Sequence, residues 1–189
     1  QPESPEVRCL RLLCEQRRKL VDLRAELTNQ WTANLKNYFP QALKWAGPLK
    51  GNKACDFLNR WPSLQSLQRA RPSTIRRFFK SHRGGGSEQL QLQLEEIKQA
   101  RALTGDTAIV TACSLLTQSL AGQILQLNDS IQRFDAKIEE LFNHHPDHFI
   151  FSSLPGSGKA LGPRLLTTFG EDRDRFECAE EVQTVSGIA

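Results

Sequence analysis

Residues Leu116–Leu141 read LTQSLAGQILQLNDSIQRFDAKIEEL. Leu116, Leu120, Ile124, Leu127, Ile131, Phe134, Ile138 and Leu141 follow spacings of 4-4-3-4-3-4-3, with Gln, Asp, Arg, Lys and Glu between them. This is a heptad seam, the mark of a helix that lays one apolar edge against another helix. Working backwards, the pattern predicts a long helix over 88–142, with Gly105 as the place where it kinks or splits. Such a helix over 88–141 would be about 80 Å long. A second periodic stretch covers 5–37, where Leu10, Leu13, Leu20, Leu27, Trp31 and Leu35 repeat at helical spacings. Pro5 sits near its start behind Ser4 as a candidate N-cap, and Pro40 ends it. Two partners for the seam stand open: helix 5–37 of the same chain, or another subunit. A 33-residue helix cannot cover 80 Å, which favours a second chain and a homo-oligomer through the eight seam residues.

Composition agrees with an all-α fold. The chain has 189 residues, with 26 Leu against 13 Val and Ile, a single Tyr and 7% aromatics. Sheets want β-branched and aromatic residues. Charged residues at 24% and hydrophobic residues at 39% exclude wholesale disorder. Thr107–Asn128 carries no charge, but nine of its 22 residues are Thr, Ser, Gln or Asn, too polar for a membrane span. Five scattered cysteines without a C-x-x-C pair read as reduced thiols of a cytoplasmic protein. The absence of Met and the bare ends at Gln1 and Ala189 suggest a piece of something larger.

The charge is divided. Residues 1–83 carry 17 Lys and Arg against 6 Asp and Glu, a net of +11, and residues 84–189 carry 8 against 15, a net of −7. A half at +11 points to a polyanion, nucleic acid before membrane. Its densest part is Arg69, Arg71, Arg76, Arg77, Lys80, His82 and Arg83, with Phe78 and Phe79 inside it. Cations neutralise phosphates and aromatics stack on unpaired bases, unless the rings are core and the cations a solvated face. Three regions follow: a basic helical region over 1–86 with short helices after residue 38, a long coiled-coil helix over 87–142, and a different unit over 143–189.

That last unit opens on Leu154-Pro155-Gly156-Ser157-Gly158-Lys159-Ala160. A phosphate-binding P-loop needs G-x-x-x-x-G-K-[ST], and here Ser153 and Ala160 stand at its ends. A helix-hairpin-helix fits better. Its turn, Gly156, Ser157, Gly158 and Lys159, and the following helix N-terminus would face a DNA phosphate, with Arg164 adding charge. Gly170 reads as a C-cap, and a last short helix is expected from Ala179 towards Val185. His144, His145 and His148 do not make a helical metal face, because Pro146 interrupts it. Glu171, Asp172 and Asp174 share one loop with Arg173 and Arg175, which fits a salt-bridged turn better than a metal centre fed from separate elements.

Four segments in this order, Phe57–Leu64 (FLNRWPSL), Phe151–Leu166 (FSSLPGSGKALGPRLL), Phe169–Phe176 (FGEDRDRF) and Val182–Ala189 (VQTVSGIA), resemble the insertion-sequence transposases of the one-ten family, most closely the eleven-eleven subgroup. The resemblance covers nearly the whole chain. It implies a DNA recombinase with an N-terminal RuvC-like nuclease domain of four acidic residues, a coiled-coil linker, and a C-terminal transposase domain opened by the Pro-Gly-x-Gly turn. It also implies a structured guide RNA, DNA at the element ends and target, and Mg²⁺ for the RuvC-like domain, with no cofactor in the present segment. On that alignment the nuclease domain would lie before Gln1 and the nucleophilic serine beyond Ala189. Ser186 stands before that serine's place and does not take its role. Only Gly156, Gly158 and Lys159 carry over, as nucleic-acid contacts. The segment is therefore expected to be inactive alone. A stand-alone helical DNA-binding or scaffold protein is the alternative.

Overall fold

The computed structural model describes residues 3–82, 86–178, 180, 181 and 184. Among these the chain is all-α, as its composition predicts, and it divides into two compact units. One is formed by residues 20–130. The other is formed by 1–19 together with 131–189. Two long helices, α1 (Pro5–Tyr38) and α7 (Thr107–His144), contribute to both.

In the 20–130 unit, α1 ends at Tyr38 ahead of Pro40, and four short helices follow: α2 (Ala42–Trp45), α3 (Asn52–Arg60), α4 (Leu64–Gln68) and α5 (Pro72–Ser81). Ser63 caps α4 in a reciprocal box with Ser66, each side chain bonding the other residue's N–H at 3.1 Å. Pro72 occupies the first turn of α5, where its missing N–H costs nothing. Phe57, Trp61, Phe78 and Phe79 form one aromatic cluster with ring centroids 5.2–5.9 Å apart. α6 (Ser87–Gln99) packs beside α5, and Gln68 Nε2 donates to the Ile97 and Ala100 carbonyls at its C-terminal end (2.9 and 2.8 Å).

The single helix expected over 87–142 is two helices. Residues 100–106 separate α6 from α7, at the split that Gly105 suggested. The cause is local. Asp106 accepts the Ala108 N–H at 2.8 Å, capping a new helix, while its own N–H is bonded by Thr104 Oγ1 at 3.1 Å. α7 is then about 57 Å long and α1 about 51 Å. The length mismatch that asked for a second chain disappears with the split.

Four of the eight seam residues, Leu120, Ile124, Ile131 and Ile138, are buried inside the units. Leu120 and Ile124 are buried in the 20–130 core with Trp31 and Leu35, and Leu116 at 37% is the most exposed seam residue. Several polar residues of the uncharged stretch are bonded within this unit. Asn34 Nδ2 donates to the Cys113 carbonyl (2.9 Å) and to Thr117 Oγ1 (3.0 Å). The Tyr38 hydroxyl donates to the Pro62 carbonyl at 2.6 Å and lies 2.8 Å from the Thr117 hydroxyl. α7 is long and apolar enough by composition to cross a membrane, and within this unit its Thr117 is buried and bonded to Asn34 and Tyr38.

In the other unit Ser4 caps α1, its Oγ accepting the Val7 N–H at 3.3 Å. Leu10, Ile138, Phe142, Phe151 and Leu166 form the core, and Ile131 is also buried. α7 ends at His144 ahead of Pro146. α8 (His148–Ser153) and α9 (Leu161–Phe169) then pack on each other across the 154–160 turn. Gly170 closes α9 at φ +77°, its N–H bonding the Leu166 carbonyl at 2.8 Å. All five cysteines are free thiols. Most of the short helix expected from Ala179 to Val185, together with Ser186, lies outside the described residues.

Candidate nucleic-acid interface

Helix α5 sorts its side chains by period. Ile75, Phe78 and Phe79 point into the core, whereas Arg76, Arg77 and Lys80 are exposed. Arg69 and Arg71, on the α4–α5 connection, are exposed too, and Arg83 lies outside the described residues. Phe78 and Phe79 are therefore core, 6% and 1% exposed, and cannot stack on bases. What remains is a cationic face suited to phosphates. Arg76 donates to Gln91 Oε1 at 3.0 Å, which ties the face to α6. Arg77 lines an open hollow of about 510 Å³ with Arg60, Asn59 and His82. Arg60 stacks over the Trp61 ring at 5.1 Å, and the His82 ring lies 4.3 Å from that of Phe78. Sequence reading missed Arg60, which only the fold of α3 brings beside α5.

The 154–160 turn differs from its expectation in detail. Gly156 is the residue with a left-handed backbone, φ +78°, so the tight turn depends on it rather than on Gly158. Ser157 is buried, and its carbonyl accepts the Gly162 N–H at 2.9 Å. The Leu161 N–H bonds the Gly158 carbonyl at 3.0 Å, and Pro163 has none to offer. The first N–H groups of α9 are thus engaged inside the turn and do not face outward for a phosphate. Lys159 is 82% exposed and bonds Glu139 Oε1 at 2.7 Å, a hydrogen bond that raises its pKa. An approaching phosphate would compete with that carboxylate. Arg164 is exposed and lines a separate open cleft.

The acidic loop is structural. Glu171 Oε2 accepts the Ser4 N–H at 2.7 Å, and Asp172 Oδ1 accepts that of Asp174 at 3.1 Å. His145, its side chain 9% exposed, has Nε2 3.5 Å from Glu171 Oε1 and accepts the Asp147 N–H on Nδ1 at 3.1 Å. Carboxylates on one turn that are committed to backbone N–H groups do not fit a Mg²⁺ centre, and no metal-holding group of three or more His, Cys, Asp or Glu occurs among the described residues. The bond from Ser4 chiefly, aided by His145, holds the Glu171 carboxyl below its ordinary range. A depressed carboxylate stabilises the fold above the unfolded-state pKa and loses that contribution as pH falls through the folded-state value. Glu171→Gln should therefore melt lower than wild type at pH 7, by under about 1 kcal/mol because the loop is exposed. The difference should vanish in strong acid, and thermal melts at the two pH values check it.

Comparison with known proteins places these surfaces in context. A protein named as the proposed transposase of the IS117 mini-circle of Streptomyces coelicolor is 25% identical over 99% of this chain and 46% of its own length. The 43.6 kDa protein of insertion element IS110, from the same organism, is 27% identical over 89% of the chain and 42% of its own length. The 42 kDa protein of insertion element IS900 of Mycobacterium paratuberculosis is 37% identical over 37% of the chain and 18% of its own length. The chain thus spans about half the length, or less, of the curated relatives it matches. No protein-family model matches it, and no solved structure does.

Proposed function

The chain is related to the insertion-element proteins of the IS110 type, and on that premise we propose that it is the helical, nucleic-acid-holding part of a DNA transposase. The observation that carries this reading is the outward row Arg76, Arg77 and Lys80 on α5, set on a half of the chain with net charge +11 while the neighbouring rings are buried. Such a face holds phosphates without reading bases. DNA is the ligand of this reading, and a structured guide RNA is the second ligand that the resemblance implies. Self-association belongs to the same proposal, with Leu116 the seam residue most open to a partner. The cytoplasm is where a protein with these ligands and free thiols would work.

Filter binding in a salt titration tests it on duplex DNA and folded RNA. Changing Arg76, Arg77 and Lys80 together to Ala should make the log-log salt slope shallower by roughly 0.7 to 0.9 for each phosphate no longer neutralised. The melting temperature should barely move, because all three side chains are exposed. Unchanged affinity and slope on both ligands would reduce the face to solvated charge.

A further inference from the structure

Arg18 and Lys19 of α1 and Arg164 of α9 lie almost a chain length apart in sequence, yet they line one open cleft of about 710 Å³ together with Arg175. All of its lining residues belong to the unit formed by 1–19 and 131–189. The cations outnumber the two acids of the lining, Glu3 and Glu15, and Glu3 is already paired with Arg11. Arg11 also donates to the Thr167 carbonyl at 2.6 Å, so it braces the cleft rather than awaiting a ligand. Arg175 donates to the Thr168 carbonyl at 2.9 Å and stacks over Phe176 at 5.2 Å, which fixes its position. The Thr167 and Thr168 hydroxyls both donate to the Arg164 carbonyl (2.9 and 2.8 Å), which holds this turn of α9 with its cation outward. A smaller hollow shares Arg18 and Arg164 and adds Arg17, paired with Asp135, and Lys159, bonded to Glu139.

Among the described residues, no aromatic side chain lines the cleft. Single strands are held by rings on which bases stack, whereas a duplex offers its phosphates to cations alone. We propose that this cleft is a second nucleic-acid site, which holds the phosphodiester backbone of duplex DNA through Lys19 and Arg164. The proposal rests on the nucleic-acid reading above and adds a surface that lies outside the basic half's densest cluster. It also gives Arg164 a role independent of the helix-hairpin-helix geometry in which it was expected to act.

The test uses the whole chain with Lys19 and Arg164 both changed to Gln, beside wild type and the α5 triple-alanine variant. Each is titrated with salt on duplex DNA, duplex RNA and single-stranded DNA. Lys19 and Arg164 are exposed, so the double variant should melt like wild type. Its salt slope on duplex DNA should be shallower by about 1.8, at roughly 0.9 for each phosphate neutralised. Between roughly 50 and 200 mM salt, wild type should then lose about tenfold more affinity than the variant. The charge-conserving pair Lys19→Arg and Arg164→Lys should restore the slope. An unchanged slope on duplex DNA, with the α5 variant weakened, would overturn the cleft and leave the nucleic-acid reading standing. A loss confined to RNA or to single strands would overturn it as well. Failure of wild type to bind any nucleic acid would bring down both.

Discussion

Ile124→Asp unfolds the 20–130 unit. Ile124 is fully buried in the core that contains Trp31, Leu35 and Leu120, and among the described residues no cation is buried in that core to pair with a new carboxylate. An unpaired charge there must either ionise in an apolar medium or be held neutral at the expense of its pKa. The expected loss is at least about 4 kcal/mol, the size reserved for such lesions and a large part of what holds a domain together. Leu115→Asp, one helical face away and 70% exposed, should cost no more than about 0.5 kcal/mol. Circular dichroism melts, with size-exclusion chromatography beside them, separate two meanings of the heptads. If the seam is the chain's own core, the Ile124 variant loses its cooperative transition. A variant that keeps its melt and becomes a smaller species would return the seam to a partner chain.

The seam shows where sequence reading reaches and where it stops. Period and spacing gave the direction of the apolar edge correctly, because a helix must bury one stripe whatever the stripe meets. They also gave α1 nearly to the residue, since Ser4, Pro5 and Pro40 are strong local punctuation. The identity of the covering partner rested on length, and length rested on one missed cap. Asp106 is a single polar residue whose side chain opens α7, after α6 has already ended at Gln99. Gly105 beside it is visible to the eye but does not decide between a kink and a break. The nucleic-acid surfaces divide in the same way. The α5 face is local, so its residues stand together in the sequence, and only the choice between core and stacking for Phe78 and Phe79 needed the fold. The α1–α9 cleft was invisible. Arg18 and Lys19 lie within the helix expected over 5–37 and Arg164 beside the 156–159 turn, and nothing short of tertiary packing joins them.

Three glycines near the 154–160 turn should respond to valine in three different ways. Gly162 lies within the first turn of α9, where a side chain ordinarily helps a helix by up to about 1 kcal/mol. Here a Cβ would come within 3.0 Å of Phe142 Cζ and 3.3 Å of its Cε1, with the Ser157 carbonyl at 3.4 Å. Phe142 is 7% exposed and wedged in the core with Leu10, Ile138, Phe151 and Leu166, so its ring has nowhere cheap to go. Overpacking of this kind costs about 1–3 kcal/mol, and the β-branch adds to it. Gly162→Val should therefore lower the melting temperature of the 1–19/131–189 unit and, through the shifted helix, weaken any ligand held by Arg164. Gly156→Val meets no atom within 4 Å but must hold φ +78°, a strain of about 1–3 kcal/mol. It should destabilise to a similar degree without any packing defect. Gly158 has neither constraint, since nothing lies within 4 Å of a Cβ there and its backbone is outside the left-handed region. Gly158→Val should then fold like wild type, and any loss of binding it shows must come from a ligand that approaches the turn closely. Thermal melts rank the three, and the duplex-DNA titration is run on those that fold. A Gly158 variant that melts well below wild type would contradict the open turn. One that folds and binds DNA undiminished would remove the turn from the nucleic-acid surface and leave the phosphates to the α5 face and to Lys19 and Arg164.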